Sequence, residues 1–301
     1  MRRIKYPFYI QKYKIDIEKF DKFCDEYLKL FDVKFKDKID EILRKIDSNF
    51  NHQKLFCFTF SELLEFVKKI NKDCNNMKDL NQLFRTNKGF KYDNKRKDLL
   101  NFMINQKIKI NSCHYCNIDF INSFVDDKNY DNSTFDHVLP KEIFPFLSLS
   151  IFNIVPCCSP CNSKFKHTTE FIIDEHLPKL IPSSKEYILD ELVQFQLKFK
   201  ENKKDKLDLK VDLTNLSNID NIDEFITMFK LKGRYEFHRQ KAIDLVDKRK
   251  IYSDSQIREI AKLLARDELS IKEDIFGKEC FQSNNEPFEK YKQDIAQQLN
   301  L

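Results

Sequence analysis

Glycine is almost missing from this 301-residue chain, which has 3 glycines, 8 prolines and no tryptophan. So little glycine argues against a phosphate-cradling loop, which needs the residue for its tight turns, and against long flexible linkers. No apolar run approaches the roughly 18 residues of a membrane span. The opening stretch Met1-Arg2-Arg3-Ile4-Lys5-Tyr6-Pro7 has no apolar segment of the kind a secretory leader needs, so a cytoplasmic protein is expected. An excess of one charge sign is also nearly absent: the net charge of +5 permits nucleic-acid binding without arguing for it. What is present is a 41% hydrophobic share, enough for one large core or two modest ones, and a 34% charged share that solvates the surface. There are 9 cysteines, an odd number, and five of them lie between 113 and 161. In a chain without an export signal, that clustering points to metal rather than to disulfides.

The flanks read as helix, hairpin, helix. Phe20, Phe23, Cys24, Tyr27, Leu28 and Phe31 recur with helical period over 16–31, and Phe35, Ile39, Ile42, Leu43 and Ile46 do so over 34–47. Thr59-Phe60-Ser61-Glu62 has the form of a capping box opening a helix through Leu63, Phe66, Val67 and Ile70. One more helix is expected from Lys95 to Gln106. In this first region, 1–110, no chemistry-bearing residues converge: Cys24, Cys57 and Cys74 read as core and His52 as a solvated loop residue. Further on, Val193, Phe195, Leu197 and Phe199 alternate with polar residues, and so do Leu207, Leu209, Val211 and Leu213. Period two on both sides of the polar stretch 201–206 predicts a β-hairpin with one buried face. Helices are expected at 221–230, 234–250 and 254–266, and a last one from Pro287, packing through Phe288, Tyr291 and Ile295. The loops at 126–133 and 214–222 are rich in Asn and Asp.

The centre carries the chemistry. Cys113-His114-Tyr115-Cys116 and Cys158-Ser159-Pro160-Cys161 each set two thiols on one tight turn, and two such turns can close a tetrahedral Zn²⁺ site. Such a site contributes roughly 10–16 kcal/mol of folding free energy in zinc-finger peptides. Cys157 is one position off the spacing but could replace Cys158. His114, inside the first turn, reads as a packing residue or a fourth ligand. Between the pairs, Thr134-Phe135-Asp136-His137-Val138 reads as a short strand stopped by Pro140. Ile151–Cys157 reads as a second strand, and Ser159-Pro160 as the cap and first turn of a helix holding Asn162, Lys164 and Lys166. On a strand, the adjacent Asp136 and His137 point to opposite faces.

This order, strand, loop, strand, helix, resembles the ββα-metal unit of the HNH endonucleases, often pinned by two Cys-x-x-Cys pairs. The matching residues are Asp136-His137-Val138-x-Pro140-Lys141, Asn153, and Cys158-x-x-Cys161-Asn162-x-Lys164, within residues 113–166. The flanks resemble, more distantly, larger HNH proteins of bacterial anti-phage and restriction systems. The resemblance implies an α+β fold, mostly helical, with three regions: 1–110 helical, 111–176 the nuclease unit, and 177–301 helical with the hairpin. It implies hydrolysis of DNA, in preference to RNA, to 5′-phosphate and 3′-hydroxyl ends. His137 would be the general base, since an imidazole of reference pKa about 6.5 takes a proton from water near neutrality. Asp136 and Asn162 would hold a catalytic Mg²⁺ or Mn²⁺ ion through oxygen. Asn153 would fix the loop between the strands and so orient His137. Lys141, Lys164 and Lys166 would meet backbone phosphates. Cys113, Cys116, Cys158 and Cys161 would hold structural zinc. A partner ATPase or sensor and a second copy of the chain are open as partners; a membrane is not expected.

The sequence departs from the family pattern at Asn162, where many members have His, and in lacking the glycine that often follows the lysine. His167 is a substitute ligand in principle, but five residues along a helix it would face away. Taken singly, each residue has a plainer reading: Asp-His as a surface pair, Asn153 as turn chemistry, Lys164 and Lys166 as a solvated helix face, His176 and His238 as surface histidines. A zinc-ribbon module that binds nucleic acid without cutting it is the rival function.

Overall fold

A computed structural model describes residues 1–11, 14–70, 75–86, 91–121, 134–167, 169–199 and 209–301. Cys74, the stretch 126–133 and residues 201–207 of the hairpin lie outside them. The described chain is mostly helical, with three two-stranded antiparallel sheets. Among the described residues, no helix is long and apolar enough to cross a membrane.

The chain divides into two compact units, one of residues 3–110 and 121–188, the other of residues 1–2, 111–120 and 189–301. The three consecutive regions expected from the sequence therefore do not fall one to a unit. In the first, the N-terminal helices and the central strands share one core. Helix Ile17–Leu28 buries Phe23, Cys24, Tyr27 and Leu28. The Tyr27 hydroxyl donates to the Leu149 carbonyl at 2.7 Å, and Ser150 Oγ donates to the Leu55 carbonyl at 2.6 Å. Phenylalanine does much of the filling: Phe23 meets Phe8 and Phe102 edge-on at 5.1 and 5.0 Å, and Phe152 meets Tyr6 at 5.0 Å. Such rings bury large areas and favour edge contacts. The Thr59–Glu62 capping box is present at the head of helix Phe60–Lys69, with the Thr59 amide 2.8 Å from Glu62. Cys24 and Cys57 are core residues, as expected. His52 is not a loop residue: it opens helix His52–Cys57 and its Nδ1 lies 3.0 Å from Asp40.

In the second unit, strands Val193–Phe199 and Leu209–Asn215 pair in register Phe195↔Leu213. The outer edge of Val193–Phe199 would leave amides unpaired, which a short sheet must cover. Helix Glu289–Gln298 covers it: Asp294 accepts from the Phe195 amide at 2.9 Å and Gln298 from the Leu197 amide at 2.9 Å. Phe195 packs against Tyr235 and Tyr291 at 4.3 and 5.0 Å. The expected helix over 234–250 is two, Leu231–Phe237 and Gln240–Ile251. Pro287 lies just ahead of the last helix, whose N-cap is Phe288 in the left-handed region.

Candidate functional site

The sulfurs of Cys113, Cys116, Cys158 and Cys161 lie within 4.8 Å of one another, and all four residues are buried. A tetrahedral zinc ion with bonds of about 2.3 Å would set sulfurs about 3.8 Å apart, so this cluster could hold one. Cys158, not Cys157, completes the set; Cys157 lies in the strand, where Thr134 Oγ1 donates to its carbonyl. The Cys116 Sγ accepts from the Ile118 amide at 3.4 Å and from Arg234 at 3.4 Å. Arg234 also pairs with Asp119 at 2.7 Å, and the Tyr235 hydroxyl donates to the Cys116 carbonyl at 2.5 Å. His114 is not in the cluster. Its Nδ1–H reaches the Arg2 carbonyl at 2.9 Å, and Nε2 accepts from Asn285 at 3.3 Å, so it is a buried packing histidine.

Strand Thr134–His137 pairs antiparallel with Ile154–Cys157, His137 opposite Ile154 and Asp136 opposite Val155. Ile151–Asn153, expected as strand, is a 3-10 turn leading into it. The cause is Asn153, whose side chain is committed to the intervening loop. Its Oδ1 accepts from the Leu139 amide at 2.8 Å, and its Nδ2 donates to the Leu139 and Leu147 carbonyls at 3.0 and 3.1 Å. That loop carries the Ser148 carbonyl, 2.9 Å from His137 Nε2. A carbonyl can only accept, so Nε2 bears the proton and the lone pair of the neutral ring is on Nδ1. Burial lowers the His137 pKa to about 4, aided by the cations Lys141 and Lys166 and opposed by the Ser148 bond.

The third element, Pro160–Lys166, is a π-helix rather than an α-helix, and Ser159 makes no side-chain cap. Its wide turn brings Asn162 and Lys166 to one side. A cavity of about 630 Å³ is lined by Asp136, His137, Asn162, Lys141, Lys166 and His167, among others. Asp136 and His137, adjacent on a strand, both border it because the strand ends there. Lys166 is not a solvated phosphate contact: its ammonium is buried, 2.8 Å from Asp136 Oδ1 and 3.0 Å from the His137 carbonyl. Lys164 is exposed. His167 does not face away. A positive φ of 43° at this residue turns it, and it lines the cavity.

The N-terminal helices also reach this cavity. Tyr92, at the start of helix Tyr92–Asn105, sets its ring edge-on to His137 at 4.4 Å. Lys141 lies over the Tyr92 ring at 5.1 Å and 3.8 Å from Asp93. No periodicity in 1–110 signals this, because it depends on packing between distant segments. One carboxylate and one amide oxygen on a shared cavity form a hard donor set. Oxygen donors of this kind are what a hard dication takes, and the imidazoles of His137 and His167 border the same cavity. Comparison with models of known protein families, with curated proteins and with solved structures returned no match.

Proposed function

We propose that the chain is a metal-dependent HNH-type endonuclease that hydrolyses DNA phosphodiester bonds. The single observation that carries the reading is an imidazole oriented by the Ser148 carbonyl and sharing a cavity with a carboxylate and an amide. Through Nδ1, His137 takes the proton of the attacking water. Ser148 holds the ring in that tautomer, and Asn153 holds the loop that carries Ser148. Asp136 and Asn162 hold the dication, Mg²⁺ or Mn²⁺, which when bound offsets charge on the phosphate and the leaving 3′ oxygen. Lys141 and Lys164 meet flanking phosphates. The four cysteines hold structural zinc. A place in anti-phage defence or restriction, with an ATPase or sensor as partner, belongs to the same reading.

The test is plasmid DNA incubated with the purified chain and Mg²⁺, Mn²⁺ or EDTA. Nicking with either ion, none with EDTA, and none by His137→Ala at unchanged zinc content are expected. Cutting by His137→Ala at the rate of the parent removes His137 as the base. The rival reading, a non-cutting nucleic-acid-binding module, is favoured by one observation, the buried Asp136–Lys166 pair that already neutralises the carboxylate. DNA retained but never cut, under any dication, decides for it.

A further inference from the structure

We propose that Lys166 is a built-in competitor for the dication, so that the site takes the ion firmly only together with a substrate phosphate. The inference rests on the nuclease reading and concerns how its ion is admitted. Lys166 Nζ lies 2.8 Å from Asp136 Oδ1, with 4% and 6% of the two side chains exposed, so water screens this pair little. The ammonium is held in place by a second bond, to the His137 carbonyl at 3.0 Å, and by the Phe171 ring at 5.4 Å. It is therefore a fixed charge rather than a passing surface lysine.

The charges around the ion's donors sum simply. Asp136 supplies one negative charge, Lys166 one positive and Asn162 none. The other charged residues lining the cavity are Lys141, directed toward Asp93, and Glu142 and Glu170, both exposed. A dication entering this neutral inner site is drawn by the carboxylate but repelled by the ammonium beside it, so the net attraction is small. A phosphodiester brings the missing negative charge. Ion and nucleic acid should then bind with positive coupling, each raising the affinity of the other by the same factor.

The experiment measures Mn²⁺ binding by electron paramagnetic resonance of the zinc-loaded full chain, without nucleic acid. A short DNA duplex is then added in a His137→Ala background to prevent cutting. The parent should bind Mn²⁺ weakly alone and at least about tenfold more tightly with duplex. Lys166→Met should bind Mn²⁺ about tenfold more tightly without duplex and lose most of the coupling. Adding Asp136→Asn to it should remove that gain. Lys166→Gln, which keeps a donor for Asp136, guards against misfolding, and zinc content with circular dichroism reports the fold. Equal or weaker Mn²⁺ binding by both Lys166 variants, while parental binding depends on Asp136, overturns the competitor and leaves the nuclease reading standing. No Asp136-dependent binding in any form, with or without duplex, overturns both.

Discussion

The four-cysteine cluster and the His137 cavity are built on opposite principles. In the cluster, four like groups converge, with Arg234 as a charged donor beside one of them. Ionised, four thiols gathered so closely would repel one another, and a cation among them would offset that repulsion. In the cavity, the two strand groups already have protein partners: Asp136 has Lys166, and His137 has Ser148. On the proposed reading, the first would take metal as part of the fold, whereas the second is charge-balanced without it and would take metal only for the reaction.

Removing the metal should separate them. Cys158→Ser should lose zinc by elemental analysis and fall in stability by several kcal/mol, as befits a site of the kind that supplies roughly 10–16 kcal/mol in small zinc domains. Mg²⁺ or Mn²⁺ depletion should leave the melting temperature unchanged, and an equal loss in both cases would erase the contrast. Next in size is Asn153→Ala, which strips three buried hydrogen bonds from the loop beneath His137. A loss of about 3 kcal/mol in chemical denaturation is expected, with zinc retained.

Acid should act through the cavity. His137 is neutral when folded down to about pH 4, whereas an unfolded imidazole accepts a proton below about 6.5. The contribution to stability is therefore complete above that range and lost as pH falls through it, by about 2 kcal/mol between pH 7 and pH 5. Denaturation curves at the two values, for the parent and His137→Gln, should differ by that slope; parallel slopes would mean the ring titrates normally. The smallest effect belongs to the cluster. Arg234→Gln should speed zinc loss to a chelator about tenfold, equivalent to about 1.4 kcal/mol, by removing the charged donor to Cys116.

Local features were legible in the sequence. The Thr59–Glu62 box, the paired strands around Phe195 and Leu213, and the two Cys-x-x-Cys turns depend on neighbours a few residues away, and spacing reports them. The cavity was legible in its members but not in its partnerships. Nothing near Lys166 in sequence says that it will be buried on Asp136 rather than solvated, since thirty residues separate them. Tyr92 reads as an ordinary helix residue until packing sets it against His137. His167 borders the cavity, where an α-helical turn angle would face it away, because the segment winds wider and ends with a positive φ.

That wider winding sets a rule of its own. The His167 amide closes on the Asn162 carbonyl at 2.9 Å, a loop one residue longer than an α-turn allows. Residue count between Cys161 and His167 is thereby as constrained as residue identity. Shortening the segment by one would let it tighten into regular α-helix and carry the buried ammonium out of register with its carboxylate. Point changes at exposed Ser163 and Lys164 should pass unnoticed by the fold, whereas a single deletion there should not.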